Sequence, residues 1–181
     1  MRLRAEKLKS LAGERGVSVE ELAASVDRTG LSGESARRAV RNWLEGRDHP
    51  RCKARDIERL AAAVGVSSKD IARFVSEVKF TRGSTRKARL VADLVRGKRI
   101  DEADNLLRFS PKRAAVNIRK CLQAAVADAQ AAEADETSLF VTEVFVNEGP
   151  QIKRFRPKDR GRAHPIIKQT SHITVGVEER A

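Results

Sequence analysis

Residues 150–170 cannot bury a core of their own, and this constrains the rest of the chain. Lys153, Arg154, Arg156, Lys158, Arg160, Arg162 and Lys168 stand there against one acid, Asp159, so the segment carries +6, half of the chain's net +12. Pro150, Pro157, Gly161 and Pro165 punctuate it, and only Ile152, Phe155, Ile166 and Ile167 are large and apolar. The flanking sequence alternates. Ser138–Asn147 is rich in Phe, Val and Thr, while Ile173, Val175 and Val177 alternate with His172, Thr174 and Gly176, the period of a half-buried strand. The pattern predicts two strands joined by a long basic hairpin at about 147–172, each arm roughly 40 Å long at about 3.3 Å per residue. A two-stranded ribbon standing alone is marginally stable in water. Either an external negative surface orders it, or it is a solvated basic loop.

Upstream the spacing is helical. Ser84–Arg96 predicts a helix with Ala88, Val91, Leu94 and Val95 inward and Gly97 at its end. Asp101–Leu107 predicts a short one. Ser110-Pro111 reads as an N-cap followed by proline at the first helical position, and Ala114, Ile118, Cys121, Leu122, Ala125 and Ala129 continue for about five turns to an acidic loop at Glu133–Glu136. Residues 76–181 are thus expected to be α+β. A second basic set, Lys79, Arg82, Arg86, Lys87 and Arg89, lies before and within the first of these helices, and Lys112 and Arg113 repeat the arrangement. The helix macrodipole disfavours cations at an N-terminus, so either a partner accounts for them or they form a solvated face.

Residues 1–75 read as a separate all-α domain of five short helices. Leu8, Leu11 and Ala12 share a face; Ser18-Val-Glu-Glu21 is a capping box, followed by Leu22, Ala23 and Val26. After a loop around Gly30, Ser32 caps a third helix with Ala36, Ala39, Val40, Trp43 and Leu44 inward and Gly46 at its stop. Ile57, Leu60, Ala61 and Val64 mark a fourth helix ending at Gly65. Ser67–Asp70 would cap a fifth, carrying Ile71, Phe74 and Val75 inward.

Charged residues make up 34% of the chain, yet 40% is hydrophobic, which permits packed cores. The sequence pI is near 10.4, and a polyanion is the partner such a balance implies. No apolar run reaches the roughly 20 residues of a membrane span, and the N-terminus lacks the apolar stretch of a secretory signal. Cys52 and Cys121 have no CxxC neighbour, so neither a disulfide framework nor a zinc site is expected. The reading is of a reduced, cytoplasmic protein without membrane, cofactor, metal or small-molecule substrate. No catalytic constellation is visible: His164 and His172 have no carboxylate or cysteine completing a metal set, and no glycine loop cradles phosphate. Trp43, at helical spacing, is expected in the core.

The residues resemble a known family. Ser84-Thr-Arg-Lys-Ala-Arg-Leu-Val-Ala-Asp-Leu-Val-Arg-Gly-Lys98 is similar to the opening helix of the large-subunit ribosomal proteins numbered twenty-two, and Arg108-Phe-Ser-Pro-Lys-Arg-Ala-Ala115 to the start of their long helix. Val144-Phe-Val-Asn-Glu-Gly-Pro-Gln-Ile-Lys-Arg-Phe-Arg-Pro157, Gly161-Arg-Ala163 and Thr170-Ser-His-Ile-Thr174 resemble their long hairpin, and the likeness covers residues 78–179. It implies an α+β fold with a small antiparallel sheet, three helices and a protruding hairpin, and a structural rather than enzymatic role on the ribosome. Its implied partners are large-subunit ribosomal RNA, neighbouring ribosomal proteins and the nascent peptide near the hairpin tip in the exit tunnel. The tip, Arg156–Arg162, would approach the tunnel, with Lys153, Arg154, Lys168 and His172 along the stem. The chain departs from the family at Gly83 and Thr85, where an apolar residue and a proline are usual, at Asp128-Ala-Gln-Ala-Ala132, usually Asn-rich, and at Asp159 within the tip.

Ser18-Val-Glu-Glu-Leu-Ala23, Asn42-Trp-Leu-Glu-Gly46 and Leu60-Ala-Ala-Ala-Val-Gly-Val66 resemble the Cro and lambda-repressor type of helix-turn-helix domain. The likeness implies that Arg37, Arg38, Arg41 and Asn42 on the third helix contact nucleic acid. The Asp27–Gly33 loop is longer than the usual turn. A helical appendage packed on a neighbouring protein is the alternative for these residues, and a free transcription regulator with a basic tail is the alternative for the chain.

Overall fold

The computed structural model describes residues 1–26 and 28–180. Asp27, counted above in the loop before the third helix, and Ala181 lie outside the described residues. The chain forms two compact units, Met1–Phe74 with Ala131–Ala134, and Val75–Gln130 with residues 135 onward.

The first unit contains strand β1 (Arg2–Leu3) and helices α1 (Ala5–Arg15), α2 (Val19–Ser25), α3 (Gly33–Leu44), α4 (Ala54–Val64) and α5 (Ser68–Ile71). Local chemistry fixes the ends. The Glu21 N–H donates to Ser18 Oγ at 3.2 Å and the Ser18 N–H to Glu21 Oε2 at 2.8 Å, the reciprocal bonds of a capping box. Gly65 closes α4 in the left-handed conformation, φ 73°, and Arg15 Nη1 donates to the Val64 and Gly65 carbonyls at 2.6 Å each. Leu8, Leu22, Val26, Val40, Ile57 and Leu60 fill the core. Trp43 joins them, its indole N–H donating to the Pro50 carbonyl at 2.6 Å.

The fifth helix is a correction to the sequence reading. It is a single turn, and from Ala72 the chain is extended as β2 (Ala72–Arg82), with Ala72 and Arg73 pairing antiparallel to Leu3 and Arg2. The unit is therefore not all-α. Ser67 and Asp70 do form the start, the Ser67 N–H donating to Asp70 Oδ2 at 3.1 Å. The alternation of Phe74, Val78 and Phe80 then favours extended pairing over a second helical turn. Phe74 is buried, as expected, while Val75 is half-buried.

The second unit holds the rest of β2, helices α6 (Thr85–Val95), α7 (Ile100–Phe109) and α8 (Arg113–Gln130), a 3₁₀ turn at Glu136–Ser138, and strands β3 (Leu139–Glu148), β4 (Ile152–Pro157), β5 (Ala163–Lys168) and β6 (Thr170–Glu179). β6 lies between β2 and β3, antiparallel to β3. α8 packs on β6, α6 on β3, and α7 on both α6 and α8. Val91, Val95, Ile118, Leu122, Val141, Val144, Ile173 and Val175 form the core. Arg119 clamps α8 to α7 through two bonds to the Asp104 carboxylate, at 2.7 and 2.9 Å.

Four details differ from expectation. Leu94 is 50% exposed: Ala88, Val91, Ala92 and Val95 make the i, i+3, i+4, i+7 stripe, and Leu94 falls beside it. α8 begins at Arg113, two residues past Pro111, with the Ala115 N–H bonded to the Lys112 carbonyl. β6 is buried on both faces, Thr174, Gly176 and Glu178 included, because it is the middle strand and the Glu143 side chain lies over Gly176. Finally, the hairpin is not one ribbon. β3 and β6 stay paired through Asn147↔His172 and Glu148↔Ser171, and a separate two-stranded ribbon follows, β4 with β5. Gly149 makes the joint. Its N–H donates to the Thr170 carbonyl at 2.9 Å, and a Cβ there would lie 2.5 Å from Thr170 Oγ1. Each ribbon strand has six residues, or about 20 Å.

Candidate nucleic-acid interface

The ribbon carries half of the chain's net charge. Every residue from Lys153 to Lys168 is exposed. Among the described residues none of Lys153, Arg154, Arg156, Lys158, Arg160, Arg162 and Lys168 pairs with an acid; Arg154 reaches only the neighbouring Lys153 carbonyl, at 2.8 Å. At the tip the Lys158 N–H donates to the Arg162 carbonyl at 2.7 Å and the Arg162 N–H to Asp159 O at 3.2 Å. Arg160 and Gly161 both adopt left-handed backbone, φ 54° and 68°. Lys158, Arg160 and Arg162 of this turn, and Arg156 near the end of β4, are all exposed. Phe155 stands among them, 75% exposed.

His172 lies at the base of the arm. It sits in β6 opposite Asn147, half-buried, its Nδ1 accepting from the Phe80 N–H at 3.2 Å and its ring edge-on to Phe80 at 4.8 Å. It braces the end of the sheet from which the ribbon departs.

The other basic sets, distant in sequence, meet. Arg82 at the end of β2, Lys87 in the first turn of α6, and Lys112 and Arg113 at the start of α8 line one groove of about 620 Å³, floored by Ala88, Leu90, Ala114 and Ile173. Asn117, one turn beyond Arg113, joins the wall; sequence reading missed it, although its i+4 spacing from Arg113 was a signal. Neither α6 nor α8 has an acid in its first turn. Two helix N-termini and four cations therefore converge, with no acid among the described residues that line the groove, and such a field favours an anion. Thr85, at the unusual position, is buried, with its Oγ1 3.3 Å from Glu148 Oε1, and the Gly83 N–H donates to the Gln169 carbonyl at 3.1 Å. Arg86 is exposed beside the groove. Arg89 instead donates Nε–H to the Val146 carbonyl at 3.1 Å, and Lys79 lies 3.6 Å from Glu77, an exposed pair of little strength.

In the first unit, Arg38 and Arg41 are exposed on α3, and Arg37 lies 3.8 Å from Glu20. Asn42, half-buried, donates one amide N–H to the His49 carbonyl at 2.8 Å. The loop before α3 is held to α4 by Arg28, which pairs with buried Asp56 at 2.8 Å and donates to the Arg51 carbonyl at 3.1 Å.

Both cysteines are free and buried. Burial, reinforced by Asp56 and Asp48, pushes the Cys52 thiol up to about 12. Burial raises Cys121 as well, against a lowering by its contact with Ser76. Both shifts favour the protonated thiol. Among the described residues no three His, Cys, Asp or Glu side chains are grouped to hold a metal ion, and no helix is long and apolar enough to cross a membrane.

An α+β body with an unneutralised cationic ribbon and a cationic groove defines a class: a protein built to be seated on a polyanion by its surface. The particular family follows from comparison. The profile of ribosomal protein L22p/L17e matches residues 76–178, and the chain belongs to that family. It is 47% identical over 104 residues to the large ribosomal subunit protein uL22 of Clostridium novyi (strain NT), an alignment covering 57% of this chain and 94% of the relative. It is 50% identical over 103 residues to the protein of the same name from Syntrophobacter fumaroxidans (strain DSM 10017 / MPOB), covering 56% and 94%. The family is structural, not enzymatic.

Proposed function

We propose that this chain is a structural constituent of the large ribosomal subunit, in the cytoplasm, binding large-subunit rRNA and touching neighbouring ribosomal proteins. The observation that carries the reading is the ribbon of seven Lys and Arg with no ion pair among the described residues. Phosphates neutralise such cations with release of condensed counterions, a driving force that falls steeply with salt. In this reading Arg156, Lys158, Arg160 and Arg162 lie deepest in RNA near the exit tunnel, where the tip meets the nascent peptide. Lys153, Arg154 and Lys168 follow the stem, while Arg82, Arg86, Lys87, Lys112 and Arg113 clasp a second RNA segment at the groove. The first unit is read as a helix-turn-helix-like extension offering Arg37, Arg38 and Arg41 to nucleic acid.

Sucrose-gradient fractionation of lysate tests the whole. The chain is expected with the large ribosomal particle, and replacing Arg154, Arg156, Arg160 and Arg162 together by Gln should shift it toward the top. Wild-type protein found free of the particle at physiological salt would overturn the assignment.

A further inference from the structure

The register of β4 on β5 sorts the ribbon's side chains onto two unlike faces. Directly opposed residues of an antiparallel pair share a face, and successive pairs alternate. Ile152↔Lys168, Arg154↔Ile166 and Arg156↔His164 therefore share one face; Lys153↔Ile167, Phe155↔Pro165 and Pro157↔Ala163 share the other. Proline lacks an N–H and fits only where no ladder bond is needed. Pro157 and Pro165 both fall on the second face, so its pairs occupy the non-hydrogen-bonded positions, where opposed side chains approach most closely. The first face carries three cations, Lys168, Arg154 and Arg156, set opposite Ile152, Ile166 and His164. The other is an apolar platform, with Phe155 75% exposed against Pro165 and Ile167 53% exposed beside them. Phosphate binding explains the first face and not the second.

We propose that the Phe155–Pro165 face stacks unpaired nucleobases of the RNA that holds the ribbon, while the Arg154–Arg156 face lies against its phosphates. The inference rests on the rRNA-binding reading above. Charge complementarity selects the occupant. Lys153 stands on the apolar face itself and Lys158, Arg160 and Arg162 bound its outer end, none with an acid partner among the described residues. Whatever covers the platform must offer a flat apolar surface with negative charge at its margins, and a base attached to its own phosphates supplies both. Stacking on an aromatic ring is tolerant of base identity, so the face grips unpaired RNA without reading its sequence.

The test uses the full chain, an in vitro transcript of large-subunit rRNA, and binding measured across a salt series. Phe155→Ala and Phe155→Leu should each weaken binding by on the order of 10-fold or more while leaving the salt slope unchanged. Phe155→Trp should bind like wild type. Arg156→Gln should lower the salt slope by about one phosphate contact. Phe155 is exposed, so thermal unfolding should match wild type in every variant. Wild-type affinity in both Phe155→Ala and Phe155→Leu would overturn the proposal. So would retention in Phe155→Leu alone, which would mark the platform as a protein-facing apolar contact. Failure of the wild-type chain to bind the transcript would instead remove the rRNA reading on which the proposal stands.

Discussion

At the scale of single residues, Asp56 is a buried charge whose partners can be removed one at a time. Asp56 is 2% exposed and carries two partners, the Arg28 guanidinium at 2.8 Å and the Lys53 N–H at 2.9 Å. Removing one member of a buried pair leaves the other charge uncompensated, at a cost of about 3–5 kcal/mol. Asp56→Ala should therefore lower the urea midpoint of the first unit by that equivalent, and a loss under about 1 kcal/mol would show that solvent screens the pair. The two thiols give a second expectation. Their protonated forms are favoured in the folded state, so native protein should resist an aromatic disulfide reagent at pH 8 and yield both thiols only on denaturation. The sign for stability follows. Cys52 is held up to about 12 against an ordinary 9.0, so its contribution is complete below pH 9 and is lost as pH rises toward 12. Unchanged stability across that interval would contradict the burial.

At the scale of elements, the ribbon contributes little to the body it grows from, because β4 and β5 pair with each other and lie outside the core. Replacing 152–168 with a short turn should leave the thermal midpoint of the second unit nearly unchanged while abolishing most RNA affinity; equal loss of both would mean the ribbon packs as core. Gly149→Val is the opposite case. Its Cβ would strike Thr170 Oγ1 at 2.5 Å and the Thr170 carbonyl carbon at 3.3 Å, so pairing at the end of β3 and β6 should open, read as faster amide exchange at Glu148 and Ser171. Much of this architecture was legible in sequence because period and punctuation are local: the Ser18 box, the Gly65 stop and the Ile118–Ala129 stripe needed no tertiary information. What escaped depends on neighbours. The end of α5 is decided by strand pairing from Ala72, the double burial of β6 by its central place, and the joint in the arm by the close approach of Thr170 to Gly149. The groove was invisible for the same reason: Arg82, Lys87 and Arg113 are adjacent only once β2, α6 and α8 are folded.

At the scale of the whole molecule, the family match begins at residue 76, and the two uL22 relatives are each covered over 94% of their length by the matching part alone. A chain lacking residues 1–75 should consequently still sediment with the large particle. Its failure to do so would give the first unit a role in assembly. The unpaired ribbon has one more consequence, felt before any particle is reached. Each newly made copy enters a cell crowded with messenger and transfer RNA while its arm is still bare, and among the described residues no acid pairs with the ribbon's cations. On the rRNA-binding reading, copies made in excess of available subunits should adhere indiscriminately to those transcripts, so matching synthesis to demand, or prompt destruction of the surplus, becomes a condition for carrying such an arm safely.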